Sequence, residues 1–500
     1  MLVRWRQGGV WSSTRRYPGL GTQNVKQTYH FSDMRMPDEF PEWPNAEQVQ
    51  SYLYDYVKKH RLADAIRLST QVESIRRPHN GNGRGWTVMT SSTDESASVK
   101  SRQSAAFDHV VVANGVFCQG AIPKIEQTEG WIQAGGQVLH TSDYKRLARP
   151  AKGRHVVVVG YGRSACDLAN QMAEIAESTI VVARRLTWKL PRHIGGWLNY
   201  KYLLLTRLGE SLFQYIRPEP VERFLYSRWG TLLRSSILSC VGGLTRRQLM
   251  LSDLDAVPRG PFTDIASARI ALSTEGFFDK VHQRQRLFLK RDAVVTRLYV
   301  DASSGKRMAQ LSTGEAIRAD IVFCGTGFRQ QCPFLPQDVI DSITDKQGNW
   351  TGLYRMILPV GVPDLTFNGY NSSLFCPTSS EMAALWIAAY LESQQTYSKE
   401  LGQRHPQLLS LPSEEEQRED AHCFFEWLNE HSKGKHAHGT NCVPFSLHQV
   451  QDILGDMDVQ LSWLASAKQW VLPMDPTAYG YCIAQVKQRV KRRSFQTKLL

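Results

Sequence analysis

The sequence contains no apolar run of about eighteen residues, so no transmembrane helix is expected. It contains no Cys-x-x-Cys pair, and its nine cysteines follow no regular spacing. That argues against a disulfide framework and for reduced thiols in an intracellular compartment, cytoplasmic or membrane-peripheral. The amino-terminal stretch has no apolar core of the kind a secretory leader carries, so no such leader is expected. No nucleic-acid motif accompanies the positive balance of +13. The charge is spread along the chain, which suggests anionic small ligands and no nucleic-acid partner. No acid–base triad can be assembled from the motifs. What remains is a globular composition, 42% hydrophobic and 21% charged over 500 residues, enough for two or three domains with a large core.

The most informative stretch is residues 153–171. Val156 to Val159 make a short β-branched strand, Gly160-Tyr161-Gly162 turns, and Ser164 to Ala169 opens a helix. Strand, glycine turn and helix set a pyrophosphate on a helix N-terminus, where free amides and the helix dipole both favour an anion. Ala165 occupies the third glycine position and is small enough for helix and strand to pack. The next strand, Thr179 to Ala183, runs into Arg184 and Arg185. An NAD site wants an acid there, whereas two arginines suit the 2′-phosphate of NADP. A structural turn followed by a solvated arginine pair is the competing reading.

Elsewhere the pattern predicts a helix from Asn45, its N-cap, to Lys59. It also predicts a strand over 65–74, a turn at Asn80–Gly83 and a return strand over Trp86–Thr90. Residues 91–105 read as polar and weakly structured. Residues 107–115 read as a buried strand entering a glycine turn. Asp320 to Gly327 repeats the layout of Asp108 to Gly115, an acid, a buried strand, then a small polar residue and Gly. One copy precedes the nucleotide unit and one follows it, as when one domain is inserted into another and the chain crosses twice. Residues 195–262 mix apolar residues and arginine at helical spacing, which fits a membrane-surface contact or a helical cover over a site. Residues 396–500 read as helical, with a start at Ser413-Glu414. His422, Cys423, His431, His436, His438 and Cys442 invite a metal reading, but their spacing fits no usual zinc site, so no metal is expected.

In this order the motifs resemble those of the flavin-containing monooxygenases of the dimethylaniline N/S-oxygenating type. Gly8-Gly9-Val10-Trp11 looks like that family's GGxW, and Arg16–Gly19 and Tyr29–Asp33 match its next signatures. Gly136, His140 and Tyr144 fit its fingerprint FxGxxxHxxx[YF], with Ala134 where Phe is expected. Gly160, Gly162, Ser164 and Ala165 resemble its NADPH turn. Gly325-Thr326-Gly327-Phe328 resembles its ATGY motif, with Gly325 in place of Ala, and Asn114-Gly115 is the matching end of the earlier segment. The resemblance implies an α/β, two-dinucleotide-binding-domain (Rossmann-like) flavoprotein. Its parts would be an FAD domain over 1–149 and 319–395, an NADP domain inserted over 150–318 with a helical insertion near 195–262, and C-terminal helices over 396–500. The family opens on a first GxGxxG unit that holds the FAD pyrophosphate, roughly 40 residues before the GGxW. Seven residues precede Gly8 here, so the expectation is an N-terminally incomplete FAD domain.

The chemistry the resemblance implies uses FAD and NADPH to oxygenate a nucleophilic nitrogen or sulfur of a small organic substrate with dioxygen, through a flavin C4a-hydroperoxide. It points to Asn24, with Gln23 as the alternative, as the amide near the flavin. The cofactor-binding expectation covers Gly8, Gly9, Trp11, Asn114, Gly115, Gly136, His140, Tyr144, Gly160, Gly162, Ser164, Ala165, Arg184, Arg185, Gly325, Thr326 and Gly327. His140 and Tyr144 fit interdomain hinge roles equally well. Glu381 is expected to cap a helix. Two alternatives stay open: a Baeyer–Villiger ketone oxygenase, which Tyr144 and Ala134 disfavour, and an NADP-binding pseudoenzyme without flavin.

Overall fold

The structure, a computed structural model, describes residues 8–78, 84–93, 102–147, 150–266, 270–395, 408–432 and 442–499. The turn expected at Asn80–Gly83 and the residues His436 and His438 lie outside them. In chain order the first elements are α1 (Ala46–Lys59), β1 (Thr70–Arg76), β2 (Trp86–Ser92), β3 (Arg102–Phe107), β4 (Val110–Val112), β5 (Gln119–Gly120) and β6 (Gln137–His140). The nucleotide unit follows as β7 (His155–Val159), α2 (Arg163–Ile175) and β8 (Ser178–Ala183). Helices α3 (Arg207–Glu210), α4 (Pro220–Leu225) and α5 (Arg228–Gln248) form the insertion. Further strands, besides four of two residues each, are β9 (Leu287–Arg291), β10 (Val295–Val300), β11 (Arg307–Leu311), β12 (Ala316–Arg318), β13 (Ile321–Cys324), β14 (Phe328–Arg329) and β15 (Leu365–Phe367). Last come α6 (Cys376–Gln395), α7 (Glu414–His431), α8 (Ser446–Asp456), α9 (Trp463–Val471) and α10 (Gly480–Leu499).

The centre is a five-stranded parallel sheet in the order β9-β8-β7-β13-β6. The valine run explains why β7 sits inside it. Alternate side chains leave opposite faces of a strand, and both faces are covered. Val156 and Val158 pack with Leu168 and Ala169 of α2. Val157, with Val182 and Val322, packs with Leu298 and Leu311 of the antiparallel sheet β10-β11-β12. Each of these valines is fully buried, worth about 1.5–3 kcal/mol apiece relative to exposure.

A second body carries β1-β2-β3, antiparallel, and the parallel pair β4 and β15. Its core joins Ile75, Trp86, Val88, Val112, Leu365, Phe367 and Tyr370. Two expectations change here. The polar stretch read as weakly structured supplies β3, every residue of which is exposed. A strand with no buried face leaves no alternation to read. The strand expected over 107–115 is only three residues long, and its Val111 faces solvent.

The expected domain limits cut across the parallel sheet. Two of its strands, β6 and β13, lie outside 150–318, and both pair in register with it. The two crossings meet just beyond them. Strands β5 and β14 pair antiparallel, and the Ala121 amide donates to the Gly327 carbonyl at 2.9 Å. The insertion and the C-terminal helices share one apolar cluster, in which Tyr215, Phe445 and Leu447 meet. Helix α7 starts at Ser413 with a capping box to Glu416, as the sequence indicates.

Candidate dinucleotide site

The turn after β7 is built for a close backbone approach. Gly160 has φ +117°, and a Cβ there would meet the Gly325 carbonyl oxygen at 2.5 Å. Only glycine meets both demands. Its amide donates to the Val182 carbonyl at 2.9 Å, which holds the turn beside the end of β8. Gly162 is the N-cap of α2 and provides no side-chain cap, so the first-turn amides of that helix remain available to an anion. Ala165 is fully buried, and a Cβ on Gly325 would meet its Cβ at 2.6 Å. The small residue at the third position is therefore required by the neighbouring crossing as well as by β7. Ser164 is half-buried in the first turn, and Arg184 and Arg185 are both exposed directly after β8. The structure thus brings together Gly160, Gly162, Ser164, Ala165, Gly325 and the arginine pair.

The first turn of α2 is braced from the side. Arg163 Nε donates to Asp167 Oδ2 at 2.7 Å, its Nη1 donates to the carbonyls of Leu272 and Ser273, and Thr274 Oγ1 donates to Asp167 Oδ1 at 2.5 Å. Beneath the turn lies Lys189, which carries no motif signal. It is 2% exposed, donates from Nζ to the Tyr161 carbonyl at 2.7 Å and sits over the Tyr161 ring. Burial lowers its pKa. Sequence reasoning missed it because a lysine six residues past a strand looks like an ordinary surface cation.

The other expected site residues fall into two groups. His140, Tyr144 and Thr326 belong to the crossings. His140 is buried, with Nδ1 at 2.8 Å from Ser142 Oγ and Nε2 at 2.9 Å from the Gly327 carbonyl. Its ring stands against Phe328, and a Cβ on Gly120 would run into it. Burial, partly offset by the Gly327 bond, holds its pKa down. The imidazole is therefore neutral at pH 7, and both nitrogens are spent on the chain. Tyr144 packs near Phe323, and Thr326 donates to the Ala121 carbonyl. Gly136 is buried under Trp131, whose ring a Cβ would meet at 2.2 Å, so packing alone accounts for that glycine.

Asn114 and Gly115 follow β4 directly, whereas Gly8, Gly9 and Trp11 belong to the loop packed on α1, where Gly8 faces Gln50 and Trp11 joins Val49 and Tyr52. Gly8 and Gly9 have positive φ, and Trp11 stands edge-on to Tyr29. Asn114 is exposed, accepts from Tyr370 Oη at 2.7 Å and donates to the Gln331 carbonyl at 3.2 Å. Gly115, also left-handed, has open space where a Cβ would be. Asn24 is buried; its Nδ2 donates to the Leu374 carbonyl at 2.5 Å and its Oδ1 lies 3.5 Å from Tyr200 Oη. Gln23 instead accepts from the Leu272 amide through Oε1. The segment 15–24 docks against the first crossing and α2: Arg15 donates to the Phe117 carbonyl at 2.5 Å, and Gly19 lies against Gln171. Glu381 does not cap α6. It lies inside that helix and accepts from the Ser32 amide and hydroxyl, a tie between distant segments that the local sequence does not show.

The histidines and cysteines near the C-terminus do not converge among the described residues. His422 pairs with Glu426, His431 bonds the Trp427 carbonyl, and Cys442 is buried against Asn371 and Ser372. An open groove of about 660 Å³ lies over β1–β3 between Asp64, Arg67, Gln103 and Phe107, away from the glycine turn. None of the site residues lines it.

Residues 6–230 match the family model described as FMO-like, flavin-binding monooxygenase-like. Over 230 residues the chain is 29% identical to the flavin-containing monooxygenase 3 of Macaca mulatta, an alignment covering 44% of this chain and 42% of that protein. It thus spans less than half the length of that relative. The structure is similar to that of the S-allyl-L-cysteine S-oxygenase of Allium sativum, with TM-score 0.57, 15% identity, and coverage of 98% of this chain and 92% of the other. It is also similar to a cyclohexanone monooxygenase, with TM-score 0.61, 13% identity, and coverage of 91% and 92%. At these identities the structural likenesses establish the two-dinucleotide-binding-domain fold.

Proposed function

We propose that this relative of the flavin-containing monooxygenases binds NADPH at the Gly160 turn and FAD against the loops that carry Gly8–Trp11 and Asn114–Gly115, and oxygenates a nitrogen or sulfur nucleophile of a small organic substrate with dioxygen. The observation that carries this reading is the strand–turn–helix cradle with two exposed arginines beside it. The pyrophosphate fits the uncapped first turn of α2, and Arg184 and Arg185 fit a 2′-phosphate as planar, permanently charged donors. For the flavin, Gly8, Gly9, Trp11, Asn114 and Gly115 are the residues we assign. Here the fit is to exposed loop backbone and not to a cradle. Among the described residues the strand, glycine turn and helix of this kind occur at α2. When bound, the nicotinamide supplies a hydride and the flavin the dioxygen chemistry.

The chain's own part is positioning. Arg163, Asp167 and Thr274 fix the first turn of α2. Neutral His140 holds the Gly327 crossing by donating Nε2–H to the Gly327 carbonyl. Asn24, oriented by its bond to Leu374, is the amide we assign to the reacting centre. The test is flavin content together with substrate-dependent NADPH oxidation by the purified chain. A yellow protein that consumes NADPH faster with a tertiary amine or thioether supports the proposal. A yellow protein indifferent to both compound classes contradicts it. The second reading, an NADP-binding protein without flavin, expects a colourless protein that still binds NADPH.

A further inference from the structure

The insertion carries a surface that the nucleotide chemistry does not use. Helix α5 buries Gly230, Leu238, Val241, Gly242 and Thr245 on one side. Its other side is apolar and open. At ~100° per residue, Trp229, Leu232, Leu233, Ser236, Cys240 and Leu244 all fall within about 60° of one line along the helix, and all are exposed. No charged residue interrupts that line before Arg247. Trp229 is 75% exposed, and Phe224 and Val221 of the adjoining α4 are 64% and 61% exposed. Gly230 is what lets α4 and α5 close up, since a Cβ there would meet the Phe224 carbonyl at 2.3 Å. At the far end Trp197, 77% exposed, and Leu244 both flank Gly195. The strip is therefore about 30 Å long, with an exposed tryptophan at each end.

The charges beside it are of one sign. Arg223, Arg228, Arg246 and Arg247 are exposed, and Arg228 and Arg246 lie about five turns apart on the same flank of α5. The one acid within residues 220–248 is Glu222, which is buried and bound by Arg207 and His448. An apolar face with tryptophan, rimmed by arginine and free of exposed acid, complements an anionic interface in two ways. Apolar side chains enter the acyl boundary, and guanidinium groups meet phosphate. The same rim disfavours a second copy of this face, because pairing it with itself would bring arginines together. No helix among the described residues is long and apolar enough to cross a membrane, so the contact is to a surface.

We propose that the α4–α5 face docks the protein on an anionic lipid bilayer, with α5 lying in the plane of the interface. The test is flotation of the purified full chain with vesicles of phosphatidylcholine alone or with about a third phosphatidylserine, at low salt and at about 0.5 M salt. The expected result is co-flotation with the anionic vesicles, weakened by salt. A triple variant, Trp229→Ser, Leu232→Ser and Leu233→Ser, should lower partitioning at least about tenfold. Arg228→Gln with Arg246→Gln should remove the preference for anionic vesicles. All these side chains are exposed, so melting followed by circular dichroism should be unchanged in the variants. Three results would overturn the proposal: no flotation with either vesicle, equal flotation with both, or a concentration-dependent dimer that the triple variant abolishes.

Discussion

Gly160 and Gly162 look equivalent in a motif and differ in what their neighbours allow. At Gly160 the backbone is left-handed and the Gly325 carbonyl fills the space of a Cβ. Gly160→Ala should therefore cost about 2 kcal/mol or more of stability, read as a lowered melting temperature. At Gly162 φ is −70° and the nearest atom to a Cβ is 4.0 Å away. Gly162→Ala should keep the melting temperature and still weaken NADPH binding about tenfold or more, because the methyl group enters the space over the helix amides. Equal melting losses in the two variants would refute this division. Arg184 and Arg185 carry a separate expectation. Replacing both with alanine should raise the KM for NADPH by about 10–100-fold while hardly changing that for NADH, since a charge-assisted bond is worth about 1.5–3 kcal/mol. A parallel loss for both coenzymes would show that the pair does not read the 2′-phosphate.

Between elements, a buried polar junction ties the insertion to α8. His448 Nδ1 lies 2.9 Å from Glu210 Oε2 and Nε2 lies 2.7 Å from Glu222 Oε1; Arg207 Nε donates to the same Glu222 oxygen at 3.0 Å. Both ring nitrogens face carboxylates, so the ring is an imidazolium. Burial alone would lower the His448 pKa, but the bonds to Glu210 and Glu222 outweigh it and raise it. For Glu222 burial pushes upward and is outweighed by His448 and Arg207, leaving a value of about 2. The signs follow by linkage. The His448 contribution is complete below about pH 6.5, its unfolded value, and is lost as pH rises through the higher folded value. The Glu222 contribution is complete above about pH 4.5 and is lost as pH falls toward 2. The junction should thus be firmest between those limits. Melting temperature followed upward from pH 6 should fall more steeply in the native chain than in His448→Gln, which has no proton to lose. Identical slopes would exclude His448 as the cause. Tyr215, whose ring lies tilted at 4.4 Å from that of His448, titrates far above this range, its pKa raised chiefly by burial.

At the scale of the molecule, what was legible in the sequence was local. The β7 turn, the caps at Asn45 and Ser413 and the alternating valines each depend on neighbours within a few residues, and the structure has them as read. The long-range facts were not legible. Strands β6 and β13 belong to the nucleotide sheet because they pair with it, and nothing in Gln137–His140 announces a partner 180-odd residues away. Gly136 reads as a ligand glycine from its motif and is explained by Trp131 above it. The tie from Glu381 to Ser32 and the lysine beneath the turn are contacts between segments with no shared pattern.

The measurement closest to the central claim is a fluorescence titration of the purified chain with NADPH and, in parallel, NADH. It needs neither flavin nor a known substrate. Saturable binding at least about tenfold tighter for NADPH, and lost in Gly162→Ala, is the result expected of a dinucleotide cradle with an arginine pair beside it. Equal affinity for the two coenzymes, or no saturable binding of either, would contradict that account.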